Sequence, residues 1–397
     1  MPSEPTRVLR VITRLNIGGP SIQATRLATS LDREGFDTLL IHGRLGDDEG
    51  DMSYLLPDRG TRTRYLDVLQ RPISPWADLR ATLAVYRAIR EFRPHILHTH
   101  MAKAGLVSRV AAVCFNLTHR TERVRVIHTY HGHVLEGYFA GWTTRVFIAL
   151  ERMLAKATDH LIAVSSRVRE ELLERYHIGS ASAFSVVPLG LDLDSFAAID
   201  DYQRAAARRA LGIPANAPVV TTVGRLTAIK NHALFLDLAQ RITATRPDAI
   251  FLIAGGGELR DELEADARAR GLVDRVRFLG WRRDLATIYG ATDVFVITSR
   301  NEGTPVALIE AMAAGVPGVS TDVGGVRDVI ADPSMGRVVA PDDVRALSDA
   351  VSALLSDASA RKAVSAVARQ AVLARFGFNR LTADIARLYR RVTETRS

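Results

Sequence analysis

Short β-branched runs alternate with longer amphipathic stretches along the whole chain. In the first half, RVLRVITRL (7–15), TLLIHG (38–43), HILHTH (95–100), VRVIHTYH (124–131) and HLIAVSS (160–166) have the length and residue types of strands. In the second half, PVVTTVGR (218–225), AIFLIAGGG (249–257), RVRFLGW (275–281), DVFVITS (293–299) and VPGVSTD (316–322) do the same. Between them, 76–92, 143–157, 231–245 and 258–271 repeat apolar positions at helical spacing. Strand and helix in alternation predict parallel, doubly wound sheets with helices on both faces. The stretch 190–217, with LDLDSF, IDDYQ and GIPANAP, carries turn signals and reads as a linker. Two Rossmann-like halves follow, the second starting near 200. In such sheets ligands bind at the carboxyl ends of the strands, so the loops after each strand are where chemistry is expected.

Length supports the same division, because 397 residues exceed what one ordinary core holds. An apolar content of 47% with 24% charged residues describes a globular chain. No apolar stretch is long enough to span a bilayer. The first residues read as a strand rather than a signal peptide. A single cysteine, Cys114, leaves no internal disulfide to form, so a cytoplasmic location is expected, with the inner face of a membrane as its natural extension. The net charge of +8 suits an anionic partner. Basic residues are scattered, HRTERVRV (119–126) being a short exception, so a nucleic-acid arm is not expected. Only four of the 52 basic residues are lysines: Lys103, Lys156, Lys230 and Lys362.

Several loops then stand out. In NEGTPVALIEAMAAGVP (301–317), Thr304 is a plausible N-cap and Pro305 a suitable first helical residue. Val306 and Ala307 would then offer unpaired backbone N–H groups to an anion. Glu310 sits deeper, among Ile309, Ala311 and Met312, and needs donors: ligand hydroxyls or a structural salt bridge. In TVGRLTAIKNH (222–232), Arg225 and Lys230 flank a turn before a helix and would suit a diphosphate; an ordinary surface loop is the plainer alternative. Gly18 and Gly19 permit close backbone approach, as many plain turns do. AGGGELRDEL (254–263) has the look of a nucleotide-facing loop but not the GxGxxG spacing.

The histidines of HILHTH and HTYHGH (128–133) raise the question of a metal, yet no suitable carboxylate or cysteine accompanies them. No metal and no cofactor are expected. DLD (192–194) reads as turn and capping residues, and GDDEGD (46–51) as a solvated loop. The segment 142–157 aligns Trp142, Val146, Ala149, Met153 and Ala157 beside Arg145, Arg152 and Lys156. Core packing is the plain expectation for that face, and contact with an anionic membrane the alternative.

Taken in order, these segments resemble the retaining nucleotide-sugar glycosyltransferases of family 4, of GT-B fold, and the capsule and exopolysaccharide subset in particular. The likeness covers nearly the whole chain. It includes the early glycine loop, HTHMAKAGLVSRVAA, HTYHGH, VVPLGLDLDSF, VGRLTAIKNH, FLIAGGGELRDEL, FLGWRRDLATIYGATDVFVITS and the EX7E element EGTPVALIE. It implies two Rossmann-like domains facing across a cleft: an acceptor-side domain over 1–195, a nucleotide-sugar domain over 196–378, and a segment 379–397 crossing back to the first.

By the same resemblance, Arg225 and Lys230 grip the donor diphosphate and Gly18 and Gly19 close over it. Glu302 contacts sugar hydroxyls beside the backbone of Gly303, Thr304, Pro305 and Val306. Glu310 holds the ribose, His131 touches the sugar near its C6, and the base lies by Gly256, Trp281 and Arg282. Pro20 and Ser21 stand where the family commonly has a small residue and a glutamate. The implied reaction moves a sugar, from a UDP-sugar for preference, to a glycan or lipid-linked acceptor in surface polysaccharide synthesis. It retains anomeric configuration and uses no metal. A GT-B sugar-nucleotide epimerase, a histidine-based metal hydrolase and a non-catalytic binding protein are the rival readings.

Overall fold

The computed structural model describes residues 4–16, 18–46, 49–56, 62–131 and 141–394, with side chains from 144 onward in the last stretch. Ile17, Asp47, Asp48, Gly132, His133 and the side chain of Trp142 lie outside the described residues. The chain forms two compact units, Met1–Leu191 with Phe378–Ser397, and Asp192–Gly377.

The first unit is built on seven strands: β1 (Thr6–Ile12), β2 (Phe36–Gly43), β3 (Arg62–Leu66), β4 (Ile96–His100), β5 (Arg125–Tyr130), β6 (His160–Ala163) and β7 (Phe184–Val186). They lie in the order β3-β2-β1-β4-β5-β6-β7, and each paired strand is parallel to its neighbour. Strand side chains alternate between the faces. Leu9 and Val11 of β1 point to one face and pack with Leu97, Val126 and the helices Pro75–Phe92 and Ala102–Thr118. Val8, Ile96, Ile127 and Ile162 point to the other, where Leu381, Ile385, Leu388 and Tyr389 of the helix Phe378–Glu394 cover them.

The second unit has six strands: β8 (Val219–Val223), β9 (Ile250–Ala254), β10 (Val276–Gly280), β11 (Val294–Ile297), β12 (Gly318–Thr321) and β13 (Gly336–Val339). Their order is β10-β9-β8-β11-β12-β13, again parallel throughout. Both orders reverse beside the first strand of the unit. That reversal opens a crevice between β1 and β4 in one sheet and between β8 and β11 in the other. The fold class read from the sequence is the one found.

Two local expectations change. The stretch read as a linker contains a helix, Asp201–Ala210, started by a capping box in which Asp200 and Gln203 each accept from the other's backbone N–H. On the helix Gly141–Lys156, Val146 and Met153 are exposed, and it is Phe147, Ile148 and Ala155 that pack inward. Core packing does not account for that first face.

Candidate active site

In the second unit the crevice is lined by the loops after β8 and β11. Two hydrogen bonds join these loops. Thr298 donates its hydroxyl to the Lys230 carbonyl at 3.0 Å, and the Arg300 amide donates to the Ile229 carbonyl at 2.9 Å. The result is a close pair: Lys230 Nζ lies 2.6 Å from Glu302 Oε1. The Ser299 hydroxyl donates to the same oxygen at 2.6 Å. Glu302 is buried, whereas Lys230 keeps part of its side chain in solvent. Arg225, five residues before Lys230 in the same loop, is exposed, and its guanidinium has no partner among the described residues. Beneath it, burial lowers His232 to about 4, and its Nε2–H donates to the Arg225 carbonyl at 3.1 Å.

The backbone around Glu302 is held from the loop after β12. Gly325 donates its N–H to the Gly303 carbonyl at 3.0 Å. A Cβ on Gly324 would stand 1.5 Å from the Glu302 carbonyl oxygen, so only glycine permits this approach. The glycine run after β9 works the same way. A Cβ on Gly255 would come within 1.8 Å of the Gly224 carbonyl oxygen, while Gly256 faces open space. The glycine loop after β9 thus packs back to back with the Arg225 loop.

The helix after Glu302 starts one residue later than its sequence suggests. It spans Val306–Ala313 with Pro305 as N-cap. Thr304 is not the cap: its buried hydroxyl has no partner among the described residues. Val306 is not free either, since its N–H already donates to the Thr304 carbonyl at 2.9 Å. The Gly303, Thr304 and Ala307 amides donate to nothing among the described residues. On the next turn, Glu310 accepts a hydrogen bond from the Tyr289 hydroxyl at 2.9 Å through Oε2, leaving Oε1 without one. Desolvation pushes Glu310 up to about 7, and the Tyr289 bond opposes that shift. Glu310 is thus a buried carboxylate with one oxygen bonded to Tyr289 and the other without a hydrogen bond among the described residues. Trp281 is half exposed in the loop after β10, stacked by Arg283 at 5.1 Å, and Arg282 is occupied by Asp284 at 2.5 and 2.7 Å.

In the first unit Gly18 caps the helix Gly19–Ser30, with its N–H 3.4 Å from Met52 Sδ. Ser21 is buried and turns its hydroxyl to the Asn16 carbonyl at 2.6 Å, which fixes this loop from below. His131 follows β5. Its Nε2 lies 2.9 Å from His100 Nδ1, and its Nδ1 is buried with no partner among the described residues. Burial and the nearby Arg10 charge lower it to about 3. No three His, Cys, Asp or Glu side chains converge as metal ligands among the described residues.

Residues 17–195 match the family described as Glycosyltransferase Family 4, and residues 203–371 the one described as Glycosyl transferases group 1. An Escherichia coli protein, UDP-Gal:alpha-D-GlcNAc-diphosphoundecaprenol alpha-1,3-galactosyltransferase, is 30% identical over 326 residues, covering 79% of this chain and 82% of that one. The chain belongs to the family 4 glycosyltransferases. The D-inositol 3-phosphate glycosyltransferase of Xylanimonas cellulosilytica is 32% identical over 318 residues, 76% of this chain and 73% of its own. Among solved structures, Anabaena HepE in complex with UDP superposes with a TM-score of 0.80 at 20% identity, over 97% of this chain and 99% of that one. A Rickettsia africae glycosyltransferase gives 0.80 at 19% identity, over 98% of each. These two establish the GT-B fold.

For this family 4 glycosyltransferase, a user of nucleotide sugars, the structure brings Lys230 and Glu302 into contact, with Arg225 in the same loop. It keeps Glu310 one helical turn deeper. Ser299, Tyr289 and Gly324 are site-supporting residues that sequence reading missed. The glycine pair in STDVGG was the available signal for the last of them.

Proposed function

We propose that the protein is a retaining, metal-independent transferase that moves a hexose from a UDP-sugar to a lipid-linked or glycan acceptor in surface polysaccharide synthesis. The observation that carries the reading is the arrangement at the carboxyl ends of β8 and β11. A cation and a carboxylate are paired at 2.6 Å, and a second carboxylate nearby holds one oxygen in reserve. Arg225 and Lys230 take the diphosphate, and Glu310 takes the ribose hydroxyls. Glu302, with the free amides after it, orders the sugar, and the base lies by Gly256 and Trp281 near Arg282.

Glu302 is a poor candidate for a covalent nucleophile, since one of its oxygens already accepts from both Lys230 and Ser299. The reaction therefore runs on one face of the sugar. The acceptor oxygen bonds to the anomeric carbon as the bond to the diphosphate breaks. The acceptor's proton passes to the leaving phosphate oxygen, whose charge the two basic residues stabilise. UDP is favoured because the Escherichia coli relative is named for UDP-Gal and HepE was solved with UDP. That same relative's name gives a diphosphoundecaprenol acceptor, which supports a lipid-linked one here.

A lipid-linked acceptor calls for contact with the bilayer at the cytoplasmic face. No helix among the described residues is long and apolar enough to cross a membrane. Peripheral contact is supported by two exposed surfaces on one side of the first sheet. Trp76, Leu79 and Leu83 share theirs with Arg80, Arg87 and Arg90, and Val146 and Met153 share theirs with Arg145 and Lys156.

The test is a thermal-unfolding screen across nucleotide sugars, since a bound ligand stabilises by mass action. It is followed by transfer to a polyprenyl-diphosphate sugar in EDTA-treated buffer. UDP-sugars should raise Tm, and the product should keep the donor's anomeric configuration. Stabilisation by no nucleotide sugar, or turnover lost to EDTA and restored by Mn²⁺, would refute the reading.

A further inference from the structure

Arg10 lies in the middle of β1, wholly buried, opposite His98 in the parallel register with β4. Its hydrogen-bond partners include no carboxylate: NH2 lies 2.8 Å from the Tyr389 hydroxyl, and NH1 lies 2.9 Å from His100 Nε2 and 3.4 Å from His98 Nδ1. His98 and His100 share a sheet face and stack at 4.4 Å between ring centroids. The chain of contacts continues from His100 Nδ1 to His131 Nε2 at 2.9 Å, and ends at His131 Nδ1.

A guanidinium can donate hydrogen bonds but cannot accept them. His100 Nε2 must therefore carry a lone pair, and the neutral ring must carry its proton on Nδ1. That N–H points at His131 Nε2, which must accept. His131 then carries its own proton on Nδ1. Protonating either ring would set two N–H groups head to head and add a charge beside Arg10. His98 obeys the same rule. Tyr389 accepts from Arg10 and donates to His98 Nδ1 at 2.6 Å, so His98 presents Nε2–H to Thr129 at 2.7 Å.

We infer that Arg10, acting through His100, fixes His131 as the neutral Nδ1–H tautomer, so that the imidazole offers the donor sugar one fixed hydrogen-bond donor and no acceptor. Arg10 and His100 are positioning residues. The atom that His131 meets is consequently an oxygen with a free lone pair, a hydroxyl or a ring oxygen. A sugar bearing an ammonium group there is rejected, because two donors would face each other. That His131 meets the donor sugar rests on the resemblance to family 4 and on the transferase reading above; the tautomer does not.

Long-range proton–nitrogen correlation spectra of the ¹⁵N-histidine-labelled full chain read the tautomer directly. In the unliganded wild type, His131 should be protonated on Nδ1 and should stay so from pH 6 to 8. Arg10→Met should release the chain of donors, letting the Nε2–H form appear at His100 and His131. Arg10→Lys, which also donates only, should restore the wild-type pattern. UDP-galactose should bind Arg10→Met roughly tenfold more weakly, the worth of one hydrogen bond, while UDP affinity stays within about twofold. An Nε2–H tautomer of His131 in the wild type would overturn the inference, and that spectrum needs no variant to fold. A wild type with the expected tautomer that binds neither UDP nor UDP-galactose would instead refute the proposed donor and leave the tautomer standing.

Discussion

Because Lys230 donates to a buried Glu302, removing either residue acts on both. Lys230→Met should lower turnover and also destabilise the protein by about 1–3 kcal/mol, since it leaves a buried carboxylate with only Ser299. Arg225→Met, at an exposed residue, should lower turnover alone. Glu302→Gln removes negative charge from beside Lys230, which is proposed to hold the diphosphate. It should bind free UDP at least as tightly as the wild type while turning over more slowly. The Lys230→Met/Glu302→Gln pair should recover the stability lost by Lys230→Met but not the activity, and urea titrations beside steady-state rates would report both.

Glu310 gives the pH-dependent case. Its pKa rises from 4.5 in the unfolded chain to about 7 in the folded one, so the native state holds the proton more tightly. The cost of ionising it is absent below the lower value, grows between the two and is complete above the higher. Glu310→Gln should accordingly raise Tm over the wild type near pH 8, by an amount equivalent to roughly 2–3 kcal/mol, with a much smaller gain near pH 5. It should also weaken UDP. Calorimetry at both pH values measures the two effects together, and a Tm gain independent of pH would contradict this account. The EX7E spacing was legible because it lies within one loop and helix. The partners were not, since Tyr289 is 21 residues and Lys230 72 residues from the carboxylate it meets, and only the sheet order joins them.

At the scale of elements, what the sequence concealed lies at the sheet edges. Ten strands could be read from β-branched runs, but β3, β7 and β13 could not. Each of these occupies an edge of its sheet. An edge strand pairs on one side only and is under less demand for apolar residues, and Arg62–Leu66 is a mostly polar, largely exposed example. The helices facing solvent raise the opposite problem, because an apolar stripe does not say what covers it. On the helix Pro75–Phe92, Ala81, Val85, Ala88 and Ile89 face the core, whereas Trp76 is 79% exposed, with Leu79 and Leu83 on the same outer side. If that side meets a membrane, sedimentation with anionic vesicles should occur at low salt and fade as salt is raised. Trp76→Ser with Leu79→Ser should abolish it and leave turnover of a water-soluble acceptor unchanged. Equal binding to neutral vesicles, or no change in the double variant, would refute this surface.

At the scale of the whole molecule, the two units differ in how the chain composes them. The second is one continuous stretch, Asp192–Gly377, and the first is split between the beginning of the chain and Phe378–Ser397. A chain ended at Gly377 would leave Val8, Ile96, Ile127 and Ile162 without Leu381, Ile385 and Tyr389 over them. It should keep a folded second unit that still binds UDP, and lose the cooperative transition of the first. Two calorimetric transitions in the full chain against one in the shortened chain would establish this. The same split has a consequence for synthesis. A ribosome releases the first unit's strands early but its covering helix last, after the whole second unit has emerged. The second unit can therefore finish folding first, while the sheet made before it waits with an apolar face bare. Arg10 waits with it, lacking Tyr389. For that interval the nascent protein is most open to chaperones and to aggregation, and slowing translation after Gly377 should lower the yield more than slowing it anywhere within the second unit.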